Sequence, residues 1–313
     1  PNFLNSICII IQFYEIKSEL DERSVDKITA YLCNKGPDEN PKPIIENLGK
    51  AYQGTIILGM GFTFDDKSKD PSCSSIARMH EIINKSPSES KFIKPYIGSD
   101  EVNNTPNHSH NRYVIDPGNI SFDELTKYKN IFEIIKNNVK PMRDEQNKPQ
   151  YKNKWWLFGE RQTSLYEMIS NSARVLVTTC SATPHMSFVF LSSDMIYANS
   201  LAVFAYETYA HFAILQSSIH ESWVRFFSSS MKDDLRYTVS DGFETFVFPY
   251  FEKSIAQLLN AGDNFYQIRE TLLIKNNIGL TALYNRFHNP EERDPDIQRL
   301  RDLHRAMDEA VLE

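Results

Sequence analysis

The residue patterns that could carry chemistry are few, and each is incomplete. Gly59-Met60-Gly61 follows an apolar run and suggests a nucleotide or S-adenosylmethionine loop. The third glycine of such a cradle is missing, because position 64 is Phe, and no convincing helix opens at Gly61. A glycine-permitted bend beside a strand is the simpler reading. Enzymes that methylate an exocyclic amine grip the flipped base with an Asn/Asp-Pro-Pro-aromatic loop. No Pro-Pro dipeptide occurs in these 313 residues, which counts against a complete methyltransferase. A metal-dependent nuclease sets an Asp beside an acid-x-Lys tripeptide. Glu15-Ile16-Lys17 and Glu89-Ser90-Lys91 have that form, which chance supplies often; Asp70 precedes the second but lies in a loop with Pro71. His108-Ser109-His110 is half a metal site without further His or Cys at ligand spacing, so a polar loop is expected. His185, His211, His220 and His288 stand alone, and no Gly-x-Ser-x-Gly elbow accompanies the serines. The sequence assigns no catalytic residue and no metal ligand.

Charge offers a different signal. The net charge is −7, opposite in sign to a typical free nucleic-acid binder. From Lys136 to Arg161, however, seven basic residues face three acids. Such a run is either a solvated face or a phosphate-contacting surface. Within it, Trp155-Trp156 could stack on bases, but one Trp in the core with the other covering it is favoured. Arg161 follows the Gly159 turn and suits a phosphate or a guanine.

The elements that must position these residues follow from periodicity and punctuation. The chain is 41% hydrophobic and 12% aromatic, enough for a core, and no apolar run approaches the ~18 residues of a membrane span. Cys8, Cys33, Cys73 and Cys180 are scattered, which fits a reduced setting and no zinc site. Strands are expected at 6–16, 91–97, 112–115, 174–179, 186–191 and 201–205, and helices at 75–84 and 121–138, the latter capped by Ser121. One long helix over 208–227, capped by Thr208, reads as scaffold. Two helices are expected over 250–262 and 263–276, and a last one from Asp294-Pro295. The apolar stripe Ile297, Leu300, Leu303, Met307 and Val311 should pack on the rest of the chain. The fold class is α+β: a mixed, twisted sheet with flanking helices, then a helical C-terminal segment. The division is 1–249 and 250–313. The chain opens without Met and closes inside a helical pattern, so both ends read as cuts in a longer protein.

Several segments in order resemble one family. They are Lys94-Pro95-Tyr96-Ile97-Gly98-Ser99-Asp100-Glu101-Val102-Asn103, His110 to Asp116, Val139-Lys140-Pro141-x-Arg143 and Trp155 to Arg161. Leu215 to Trp223, Leu235-Arg236-Tyr237-Thr238 and Phe243 to Pro249 follow, then Asn277 to His288 and Glu292 to Pro295. Together they resemble the C-terminal half of type IIG/IIL single-chain restriction–modification enzymes, the MmeI-like group. That half is a target-recognition domain with a C-terminal helical domain. The family pattern often has an Arg before the His in the loop between the paired strands. Here the loop is Cys180-Ser181-Ala182-Thr183-Pro184-His185, without Arg, so individual base contacts do not transfer.

The resemblance implies sequence-specific recognition of double-stranded DNA for an adenine-N6 methyltransferase. Its catalytic half, and any fused nuclease, would lie upstream in the same polypeptide. S-adenosylmethionine would belong to that parent enzyme, with magnesium if a nuclease is fused; this chain would hold no cofactor. The setting would be the bacterial cytoplasm, with no membrane. DNA contacts are expected from Asn103, His108, His110, Arg112, Lys140, Arg143, Lys152, Lys154, Arg161, Ser181, Thr183 and His185. Phosphates fall to Arg112 and the 136–161 cations, and base edges to the loops 99–111 and 180–185. A protein-interaction module, or an enzyme with an unfamiliar site, is the alternative.

Overall fold

The densest apolar strand is Arg174–Thr179, where every residue after Arg174 is buried. Such a run belongs at the centre of a sheet, and the computed structural model puts it there. The structure describes residues 18–20, 23–25, 39–231, 234–249 and 255–313; the expected 6–16 strand and the Glu15-Ile16-Lys17 tripeptide lie outside them. The chain divides into two compact units, 1–42 and 43–313. In the first, β1 (Ser18–Leu20) pairs antiparallel with β2 (Arg23–Val25).

The second unit carries two four-stranded sheets. In one, β3 (Ala51–Gln53), β10 (Leu201–Phe204), β7 (Arg174–Thr179) and β8 (Val189–Ser192) lie side by side in that order, all antiparallel. In the other, the order is β4 (Thr63–Phe64), β6 (Arg112–Ile115), β5 (Ile93–Ile97) and β9 (Ile196–Tyr197), with β5 and β9 parallel. A hairpin of β11 (Ser229–Met231) and β12 (Asp234–Arg236) completes the described strands. The expected mixed sheet with flanking helices and a helical C-terminal segment is present, divided between two sheets.

Each sheet has its own core. The first packs β7, β8 and β10 against the helices Tyr209–Gln216, Ile255–Asn276 and Pro295–Leu312. Ile297, Leu300 and Met307 are fully buried there, so the last helix does pack on the chain that precedes it. Burying one such side chain contributes ~1.5–3 kcal/mol. The second core gathers Phe62, Phe64, Val114, Ile131 and Ile135, with Trp155 closing it. Trp156 covers its neighbour and donates its indole N–H to the Ile120 carbonyl (2.9 Å).

Helix boundaries differ from expectation for local reasons. The 208–227 helix is two helices, Tyr209–Gln216 and Ser218–Phe227. Ser217 is extended; its hydroxyl donates to the Ile214 carbonyl and accepts from the His220 N–H, ending one helix and capping the next. The two helices expected around Gly262 are one, Ile255–Asn276. Gly262 does not break it: a Cβ there would lie 2.2 Å from the Tyr209 carbonyl oxygen, so glycine permits close helix packing. The 121–138 helix is interrupted after Leu125 and widens to a π turn over Ile135–Val139. Pro141, which lacks an N–H and crowds the carbonyl four residues earlier, follows directly. At Gly59 φ is +102°, which is the expected bend.

Candidate nucleic-acid interface

The register of the first sheet brings isolated polar residues to one end. Ala202 of β10 lies opposite both Gln53 and Thr178. The segments that leave these strands therefore meet. The Cys180 N–H donates to the Ser200 carbonyl (2.7 Å), and the Gln53 amide donates to the Asn199 carbonyl (2.5 Å). Thr183 and Leu235 exchange N–H···O bonds of 3.0 and 2.9 Å, which carries Arg236 to the same place. Two adjoining cavities of about 230 and 490 Å³ result, both bounded by Gln53, Cys180 and Arg236; Ser181, Asn199 and Ser200 line the larger. Arg236 and Ser181 are exposed. Burial pushes the Cys180 thiol up to about 12, so it stays a neutral wall.

The second sheet adjoins this end through Gly98 and Ser99. The Ser99 N–H donates to the Ser200 hydroxyl (3.1 Å), and the Ser99 and Ser181 hydroxyls are 3.4 Å apart. Glu101, almost fully buried, accepts from the Gly98 N–H (3.0 Å) and from Arg112 through both oxygens (2.6 and 3.0 Å). Arg112 is thus engaged by a carboxylate and stacks over the Tyr96 ring.

The 180–185 loop is braced from behind by the helices Leu280–His288 and Ser218–Phe227. His185 stacks on His288 with ring centroids 4.5 Å apart, and its Nε2 donates to Asn285 (2.9 Å). Arg225 donates to the Pro184 carbonyl (2.8 Å). Asn103, Thr183 and His185 share a narrow crevice with Thr281 and Tyr284. Deeper, the fully buried Arg269 donates to the Phe188 carbonyl (2.7 Å), the Gln216 side chain and the Tyr284 hydroxyl (both 3.3 Å). Gln216 in turn accepts from the Phe188 N–H (2.9 Å). Gly279 lets this segment approach: a Cβ there would meet the Asn103 carbonyl oxygen at 2.3 Å.

The remaining candidates sit elsewhere and differ in availability. Lys140 pairs with Asp144 (2.5 Å). Arg161 holds Asp116 through two bonds of 3.0 and 2.8 Å, which raise its pKa. Arg143 is fully buried. Lys152 and Lys154 are exposed. His108 is buried, with Nδ1 donating to the Val102 carbonyl (2.8 Å) and Nε2 3.2 Å from Glu270. His110 packs edge-on against Tyr113, and partial burial lowers its pKa. Glu89 of the acid-x-Lys tripeptide is a structural group: its carboxylate accepts from the Ile131 N–H (2.9 Å). Of the expected residues, the fold gathers Asn103, Ser181, Thr183 and His185 around one sheet end, with Arg112 behind them. Gln53, Asn199 and Arg236 join them without having been singled out as contacts; Arg236 was visible within Leu235-Arg236-Tyr237-Thr238.

Among the described residues no helix is long and apolar enough to cross a membrane. No curated protein matches the sequence. Among solved structures, the chain is similar to the type IIL restriction-modification enzyme MmeI in complex with DNA. The TM-score is 0.68 at 19% identity, over 92% of this chain and 36% of that one. The likeness is one of fold, and the chain spans little more than a third of MmeI's length. The type IIG restriction endonuclease BpuSI aligns with a TM-score of 0.37 at 11% identity, over 84% of this chain and 30% of that one. The sequence model described as "MmeI, target recognition domain" matches residues 66–250, more than half of the chain, which therefore belongs to the MmeI target-recognition-domain family.

Proposed function

We propose that this chain reads the sequence of double-stranded DNA for an adenine-N6 DNA methyltransferase whose catalytic domain lies in the same polypeptide. S-adenosylmethionine would serve that domain, with a fused restriction nuclease using magnesium where one is present. Recognition belongs to 1–249, and 250–313 braces it. The observation that carries this reading is the sheet end. Gln53, Ser181, Asn199 and Arg236 converge there around open cavities, and the 180–185 loop is held from behind by hydrogen bonds to Arg225 and Asn285. Base reading needs such a set: Arg can bond guanine O6 and N7 together, and Asn or Gln can bond adenine N6 and N7. Rigid supports hold these groups in register with the groove.

The candidates divide by role. Ser181, with Arg236, Gln53 and Asn199, faces base edges; Asn103, Thr183 and His185 set the position of the loop from the crevice behind it; Lys152 and Lys154 meet phosphates. Arg112 and Arg161 act through the carboxylates they hold, and His108 through its contacts with Val102 and Glu270. The net charge of −7 opposes association with a polyanion and keeps binding weak, while its salt dependence is set by the few lysines that meet phosphates. Selection of bound duplexes from a randomised pool tests the reading at low salt. Enrichment of a defined motif is expected; duplex binding without any enrichment would contradict it. The competing reading, a protein-docking module, draws on the largely exposed Ile45, Val247 and Ile274, and predicts no duplex binding.

A further inference from the structure

Arg143 is fully buried, and among the described residues no carboxylate pairs with it. One terminal nitrogen donates to the Ile57 and Leu157 carbonyls at 2.9 and 3.0 Å; Nε and the other terminal nitrogen have no partner. Burial pushes the guanidinium down to about 10, so it stays charged at neutral pH. A buried cation without a counter-ion projects its field through a poorly screening interior.

That field reaches an opening. The guanidinium carbon lies 5.6 Å from the centre of the Tyr151 ring, and Leu157 supplies one of its acceptors. Tyr151 and Leu157 both line a crevice of about 380 Å³. Gln150, Asn153 and Lys154 supply its polar walls, and no Asp or Glu lines it. Donors on the walls, an exposed ammonium at the rim and an uncompensated guanidinium beneath favour an anion small enough to enter.

We propose that this crevice is a phosphate-binding pocket; resting on the DNA reading above, the group it takes is a phosphodiester of the bound duplex. Lys154 and the amides of Gln150 and Asn153 contact the phosphate, and Arg143 acts from beneath as a fixed charge. The pocket anchors the domain on the backbone and carries no sequence preference.

The test uses the 313-residue chain with two probes, a duplex pool and inorganic phosphate. In Lys154→Ala, duplex affinity falls several-fold for all sequences alike, and the slope of log affinity against log salt flattens by about one unit. In Arg143→Met, affinity falls likewise. Inorganic phosphate shifts the amide resonances of residues 150–159 in the native chain and not in Lys154→Ala. Should both variants bind duplex with native affinity and slope, the pocket is overturned while the DNA reading stands. If the native chain binds no duplex but phosphate still shifts 150–159, the DNA reading falls and the phosphate pocket stands. Absence of both responses removes both. Where Arg143→Met does not fold, Lys154→Ala and the phosphate titration decide.

Discussion

The cationic run from Lys136 to Arg161 and the sheet end around Ser181 and Arg236 present their polar groups in opposite ways. In the run, Arg143 is buried, Arg161 is held by Asp116, and Lys140 is paired with Asp144. Lys136, Lys148, Lys152 and Lys154 are left in solvent. At the sheet end, few charges occur, yet Ser181 and Arg236 open onto cavities and the loops that carry them are tied down from behind. A local excess of charge in sequence therefore overstates what a partner meets. Placement by strand register, which leaves no mark on local composition, gathers the polar groups that line the open cavities.

The sheet end depends on the C-terminal helices, and the largest expected effect follows from that. Leu300 is fully buried against the core shared with β7 and β10. Leu300→Asp should cost about 4 kcal/mol or more, since an unpaired carboxylate would enter that core. An unchanged melting temperature would mean that the last helix is not docked. Next come the engaged arginines. Arg112→Ala and Arg161→Ala each strand a largely buried carboxylate, Glu101 or Asp116. Each should lower stability by up to about 3 kcal/mol while leaving the salt slope of duplex binding unchanged. A flatter slope with full stability would make them phosphate contacts instead.

Burial of the scaffold gives a pH signature of similar size. His220 is fully buried; its Nδ1–H donates to the Leu215 carbonyl (2.7 Å), and its pKa is pushed down to about 4. The unfolded chain takes up this proton at about 6.5, before the folded chain does. The stability tied to a neutral His220 is therefore complete above pH 6.5 and is lost as pH falls towards 4, by about 3 kcal/mol across the window. Urea melts at pH 7 and 5 should show the loss in the native chain and a smaller one in His220→Gln. Equal losses would refute the assignment. The smallest effect on stability belongs to the exposed lysines. Lys152→Ala with Lys154→Ala should leave melting unchanged and flatten the salt slope by up to about two units.

Much of the fold was legible because its signals are local. β6 and β7 have the bounds their apolar runs suggested, and the Asp294-Pro295 start opens the last helix as expected. Ser217 and Gly262 misled for different reasons: the Ser217 hydroxyl itself competes for the helix's backbone groups, and Gly262 serves a neighbouring helix that needs close approach. In the candidate site, the 180–185 loop could be read from its place between paired strands. Gln53 and Asn199 could not, since only the pairing of β3 with β10 brings them together. Arg269 was hidden for the same reason. An arginine within a helix gives no sign that it will donate to Phe188 and support the strand entry behind the loop.

The central claim is that the sheet end reads bases while the exposed lysines hold the backbone. Duplex selection from a randomised pool with Arg236→Ala, beside the native chain and the double lysine variant, tests it most directly. Arg236→Ala should change the selected motif at one base pair, with a discrimination loss of ~1–3 kcal/mol there, and alter the salt slope by no more than about one unit. The lysine variant should select the native motif with lower affinity. A native motif selected by Arg236→Ala, together with an altered motif in the lysine variant, would contradict the account.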